Sequence, residues 1–239
     1  MVRRAPTRRS RRPRAREVDL SSATPDAEDR LSILVSSSVH GYEDLLETIF
    51  ALLDGFGYRV AMSHKGTIPI DASESAMRNC LEAVERTDLF LGLILPRYGS
   101  GKETPEALSI THLEGLRAIE LNKPRWFLVH EHVAIARQLL EPMRDESQKP
   151  RFVLKPGIPF KATPVLQDLR VLELFEAAMR HDVKNVADRR GNWVQPFGPD
   201  DDARLFVTAQ FRRHRELVEK HLHKLSDTRA IRKKVRGAS

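Results

Sequence analysis

Apolar and polar positions alternate in blocks along residues 31–140, and each block reads as one element. Residues 31–35 form a short apolar run of strand formers that ends in Ser36-Ser37-Ser38. Residues 42–53 carry Leu45, Leu46, Ile49, Phe50, Leu52 and Leu53, the spacing of a buried helical face, and Gly55 and Gly57 stop that helix. Residues 58–62 predict a second strand. Ser73 or Glu74 opens a second helix with Met77, Leu81 and Val84 on one face. Residues 88–95 are almost continuously apolar, as a central strand buried on both faces requires. After a loop over 96–108, Ser109 caps a helix over 110–121. Residues 125–129 then predict a fourth strand, and 130–140 a further helix.

Strands alternating with helices over short links predict an α/β fold with an open, mostly parallel, doubly wound sheet. Ligands in such sheets bind beyond the carboxyl ends of the strands, where the strand order switches. The strand ends here are Ser36-Ser37-Ser38, Ser63-His64-Lys65, Pro96-Arg97-Tyr98-Gly99 and His130.

Beyond residue 140 the pattern changes. Residues 141–163 are polar and hold four prolines, which predicts a linker. An amphipathic helix is expected over 164–180, and a turn or hairpin over 185–197 around Gly191-Asn192-Trp193. Asp200, Asp201 and Asp202 are expected to cap a long helix reaching about residue 225. The expected organisation is a basic disordered leader (1–30), the α/β domain (31–140), the linker (141–163), a helical C-terminal region (164–225) and a basic tail (226–239).

Charge alters how the ends are read. The formal net charge is +7, but residues 1–16 carry eight Arg and no acid, and residues 224–239 carry six bases against Asp227. The body between them is therefore mildly acidic. The basicity belongs to two tails, whose non-specific contact with nucleic acid would fade with salt. Hydrophobic residues at 41% exclude a wholly disordered chain, and one cysteine excludes an internal disulfide framework. No apolar run approaches the roughly 20 residues of a membrane span. A cytoplasmic protein with no membrane partner is the expectation.

Common cofactor motifs are absent. There is no phosphate loop ending in Lys-Ser/Thr, no Gly-x-Gly-x-x-Gly after the first strand and no His-Glu-x-x-His. His130 and His132, or His221 and His223, do not by spacing alone make a metal site, so neither metal nor cofactor is expected. Cys80 reads as a buried, inert thiol, with no local base indicated.

Three features carry candidate chemistry. Ser36, Ser37 and Ser38 can let backbone and hydroxyl groups approach a phosphate or ribose, or they form a plain strand-to-helix turn. Arg97 offers a fork to an anion and Tyr98 a stacking face, with Gly99 beside them, unless the loop is a solvated turn. Ser109 opens the helix that carries Glu114, followed by Gly115 and Ala118. A carboxylate aimed into the cleft from there could act as nucleophile or general base, or stabilise a ribosyl cation. A helical Glu viewed alone is a solvated surface charge.

The order of these segments resembles a known family. The serines after the first strand come first, then Asp88-Leu-Phe-Leu-Gly-Leu-Ile and Arg97-Tyr98-Gly99-Ser100. Ser109-Ile-Thr-x-x-Glu114-x-x-x-Ala118 and Asn122-Lys-Pro124 follow. Together they are similar to the domain-of-unknown-function family number 4062. Met62-Ser-His-Lys-Gly-Thr67 and Glu120-Leu-Asn-Lys-Pro-Arg-Trp-Phe-Leu-Val129 look like a stand-alone branch of it. The resemblance covers 31–140, and more loosely Gly191-Asn-Trp-Val194.

It implies a flavodoxin-like fold related to Toll/interleukin-1-receptor-like domains and nucleoside 2-deoxyribosyltransferases, in which a helix glutamate serves cleavage of an N-glycosidic bond. By position Glu114 matches that glutamate. Ser36, Ser37 and Tyr98 would line the ribose or base pocket, and Asp88 would support its strand. The transferases carry Asp and Gly just before this helix, whereas here the loop over 101–108 is longer. The resemblance implies a nucleotide-like small molecule as partner, NAD first, and a role in bacterial antiviral defence. The alternative it leaves open is a non-catalytic nucleotide-sensing or assembly module, including a homo-oligomer.

Overall fold

The computed structural model describes residues 30–101, 104, 106–189, 191–213 and 216. Residues 1–29 of the expected leader, the basic tail, His221 and His223 lie outside them, whereas Arg30, counted with the leader, bonds to Gly57 O at 2.7 Å and Tyr58 O at 3.0 Å.

Five strands form one sheet: β1 (Ser32–Ser37), β2 (Arg59–Ala61), β3 (Leu89–Ile94), β4 (Arg125–His130) and β5 (Asn192–Phe197). Their order is β2-β1-β3-β4-β5, and every pair is parallel. Among the described residues six α-helices flank the sheet: α1 (Glu43–Gly55), α2 (Ala76–Arg86), α3 (Ile110–Glu120), α4 (Glu131–Leu140), α5 (Arg170–Met179) and α6 (Asp200–Phe211).

Alternation along the strands divides the core. Ile33, Val35, Leu89, Leu91 and Leu93 pack with Leu45, Leu46 and Ile49 of α1 and with Ala203, Val207 and Phe211 of α6. Leu34, Phe90, Ile94 and Phe127 face the other way, onto Val84 of α2, Ala118 of α3, Val133 of α4 and Leu172 of α5. This is a doubly wound α/β fold. The helix after β1 covers one face and the helix after β3 covers the other, so a crevice opens between the carboxyl ends of these neighbouring strands.

Several element boundaries differ from the sequence pattern. β1 runs on through Ser36 and Ser37, so Ser36 faces the same side as Leu34. α2 begins later than Ser73 or Glu74 would set it. Ser75 is its cap and accepts from Arg78 N at 3.1 Å, while the Ser73 hydroxyl donates to Asp71.

Residues 185–197 do not form a hairpin. After Gly191, at φ +68°, the chain enters β5 and extends the sheet in register with β4 from Arg125↔Asn192 to His130↔Phe197. Pro196 masked that strand, since proline is tolerated only at an edge such as this one. The amphipathic pattern from 164 becomes helix only at Arg170, because the Gln167 amide donates across the fold to Pro96 O at 2.8 Å.

Residues 141–163 hold no helix longer than a single turn, but they pack against the body. Arg144 is 2% exposed, bonds to Glu176 of α5 at 2.7 Å and lies over the Phe152 ring. Asp200, Asp201 and Asp202 occupy the first turn of α6 rather than its cap, which is Pro199. Their charges face the positive end of the helix dipole. No helix among the described residues is long and apolar enough to cross a membrane.

Candidate functional site

The carboxyl ends of β1 and β3 bring together most of the residues singled out by the sequence, in two groups. The inner group centres on Glu114. α3 starts at the carboxyl edge because Ser109, 1% exposed, caps it, its Oγ accepting from His112 N at 3.2 Å. One turn further on, Glu114 points at the sheet and is 5% exposed, so it is not a surface charge.

Ser36 Oγ donates to Glu114 Oε2 at 2.5 Å, and the Cys80 thiol of α2 donates to the same carboxylate. Burial pushes the Glu114 carboxyl up to about 7, against the smaller opposing pull of these two donors. Burial, and then the neighbouring carboxylate, raises Cys80 to about 11. The thiol therefore stays protonated at neutral pH and acts as a donor rather than a nucleophile.

The outer group lines a small cavity. Ser38, Arg97, Tyr98, Gly99 and Ser109 form its wall with Thr111, Val171 and Leu174. Its volume is about 10 Å³, barely room for one water and far too little for a nucleotide. Gly99 is required there, since a Cβ would lie 2.8 Å from Thr111 Oγ1. Tyr98 is fixed at its hydroxyl, which accepts from Ser109 N at 3.1 Å and pairs with His112 Nδ1 at 3.0 Å. His112 is 3% exposed, and burial pulls it down to about 4, so it is neutral at physiological pH.

One expected residue is placed differently. Ser37 projects to the opposite face of β1 from Ser36, and its hydroxyl is taken up by Ser38 O at 2.8 Å. Arg97 is exposed and reaches back over the first loop, where a Cβ on Gly41 (φ +87°) would stand 3.5 Å from its Nε. It retains the geometry to meet an anion at the crevice mouth. His130 and His132 lie with ring centroids 4.5 Å apart. No three His, Cys, Asp or Glu side chains among the described residues gather as a metal would need.

The sequence reading missed His112, the partnership of Cys80 with Glu114, and the whole contribution of residues 167–174. His112 carried one signal, its place three residues after the helix cap. Residues 167–174 carried none, because their contacts with the Tyr98 loop are remote in the chain, 69 positions for Gln167 with Tyr98 and 63 for Arg170 with Ala107.

The family model described as "Domain of unknown function (DUF4062)" matches residues 32–167, more than half of the chain. The protein belongs to this family. The DUF4062 match takes in β1 to β4, Glu114, the Tyr98 loop and the packed segment to Gln167, whereas α5, β5 and α6 lie beyond it. No curated protein matches the chain in sequence.

Proposed function

We propose that this DUF4062 protein cleaves the N-glycosidic bond of a nucleotide or nucleoside, NAD being the first candidate, with Glu114 as its catalytic carboxyl. The observation that carries the reading is the Glu114 carboxyl itself. It is buried beside the crevice between β1 and β3, bound to Ser36 and held near pH 7 in its titration. Carboxyl groups with displaced titration in such crevices are candidates for chemistry.

In the proposed reaction the bond from the ribose C1′ to the base nitrogen breaks, and its electron pair leaves with the base. The oxocarbenium-like C1′ is stabilised or attacked by ionised Glu114. Water then supplies the new C1′–O bond and loses its proton. Tyr98 would offer a ring to the base or ribose, and Arg97 a fork to phosphate. Depletion of a shared nucleotide would suit a role in antiviral defence, as the family resemblance implies.

The second reading is a non-catalytic nucleotide sensor or assembly module; the 10 Å³ cavity, with no room for a nucleotide in this conformation, favours the assembly module. The test is chromatography of NAD, its phosphate and a nucleoside panel after incubation with wild type and Glu114→Gln. Release of free base by wild type, falling about a thousandfold or more in the variant, is the expected result. No release at high protein concentration, either by folded wild type or by folded variants whose crevice mouth has been opened, overturns the enzyme reading and leaves the sensor or assembly module.

A further inference from the structure

Residues 163–174 run across the mouth of the crevice, and their contacts with it are specific. Thr163 and Leu166 close a turn that ends with Leu166 buried at 3% exposure. Gln167 then straddles the Tyr98 loop. Its backbone N donates to Pro96 O at 2.8 Å, and its side-chain Oε1 accepts from Tyr98 N at 2.9 Å.

Arg170 lies over the Tyr98 ring, 4.6 Å from its centroid, and donates to Ala107 O at 2.7 Å on the far side of the loop. Asp168 holds that guanidinium in place through bonds of 3.0 and 2.5 Å. Val171 and Leu174 follow as walls of the cavity, and Leu174 comes so close to α3 that a Cβ on Gly115 would stand 2.8 Å from it. One stretch of chain thus ties both ends of the 96–109 loop and fills the space below it.

The same stretch is weakly held on its other side. Residues 155–165 are mostly exposed and include Pro156, Pro159 and Pro164, with Ile158, Phe160 and Val165 partly in solvent. A segment that continues into an exposed, proline-rich stretch on one side belongs to the lower end of local stability.

We infer that residues 163–170 are a latch that holds the Tyr98 loop down over the crevice in the resting protein, and that release of this latch frees the loop to make room for a ligand between it and Glu114. The inference rests on the reading of this crevice as a ligand site and adds its regulation. In this arrangement the site is complete but closed, so the rate of any reaction there is set by latch release before it is set by chemistry.

The test is hydrogen exchange on the full chain, comparing wild type with Gln167→Ala and with Arg170→Ala. Gln167 is exposed, so its variant keeps the fold if the larger Arg170 change does not. The reporters are the Ser109 and Ile110 amides, bonded to Tyr98 Oη and Ser100 O and to neither substituted side chain. Exchange about tenfold faster at both, with β3 and β4 amides unchanged, supports the latch. Unchanged exchange at Ser109 and Ile110 in the folded variants overturns it. The same variants are then incubated with NAD. Base release faster than wild type supports latch and glycosidase together. Opened variants that release no base leave the latch standing and overturn the glycosidase reading.

Discussion

β1 carries a serine near each end, Ser32 and Ser36, on the same side of the strand, and each is bonded to a buried carboxyl. At the amino end Asp88, 7% exposed, accepts from Ser32 N at 2.9 Å and from Ser32 Oγ at 2.7 Å, while its own amide bonds back to Ser32. At the carboxyl end Glu114, 5% exposed, accepts from the Ser36 hydroxyl and the Cys80 thiol. The first carboxyl is tied into backbone and staples β1 to β3. The second is held by two side-chain donors that can turn away, and its charge is poorly compensated. Equal burial therefore serves opposite ends: one carboxyl holds the sheet together, and the other stores unfavourable charge beside the crevice between β1 and β3.

The largest expected effect that separates them is on stability against pH. Glu114 titrates near 7 when folded, against 4.5 ordinarily, so the folded state holds its proton more tightly. Its contribution is fully present below about pH 4.5 and is lost as pH rises through 7, a cost of about 3 kcal/mol. His112 runs the other way. With a folded value of about 4 against 6.5, it favours folding above pH 6.5 and opposes it by a similar amount as pH falls through 4. The two slopes nearly cancel between about pH 4.5 and 6.5. Relative to wild type, stability to urea across this range should rise more steeply with pH in Glu114→Gln and fall with pH in His112→Gln. His130, lowered by burial, adds a rising slope common to all three. Parallel curves for all three would break the contrast.

Next in size is the staple. Asp88→Ala leaves the buried Ser32 amide without its side-chain acceptor and should cost about 2 kcal/mol. The activity per folded molecule should stay unchanged, since Asp88 lies at the opposite end of the sheet from the crevice. The two carboxyls are misassigned if Asp88→Ala is neutral to denaturant while Glu114→Gln is destabilising at pH 8.

Smallest is Cys80→Ala, expected to change stability by under about 1 kcal/mol. Its thiol lowers the Glu114 titration, so removing it should move the falling limb of the pH profile upward. A profile that stays in place would remove Cys80 from the site.

Most of the sheet was legible because β1, β3 and β4 are near-continuous apolar runs with helical spacing between them. β5 was not, because Asn192-Trp-Val-Gln-Pro-Phe197 mixes polar residues with a proline and resembles a turn until its neighbour β4 is in place. The start of α5 was misplaced for a similar reason. Local amphipathicity at 164–169 is continuous with the helix, and only the distant carbonyl of Pro96 draws the Gln167 amide away. In the site, Glu114, Ser36, Ser38, Tyr98 and Gly99 were visible as strand ends and a helix start. Ser37 was misplaced by one step of strand alternation, which turned it to the other face. The latch could not be read, since nothing local distinguishes a glutamine that bonds across the fold from one in solvent.

The proline in β5 also bears on how copies of the protein meet. Arg125 N donates to Gly191 O, so the odd-numbered residues of β5 turn their backbone toward β4 and the even-numbered ones turn outward. A foreign strand laid along that outer edge finds amide hydrogens at Asn192 and Val194, then none at Pro196. The sheet is thus blunted against edge-to-edge growth at the place where its open end would otherwise invite aggregation.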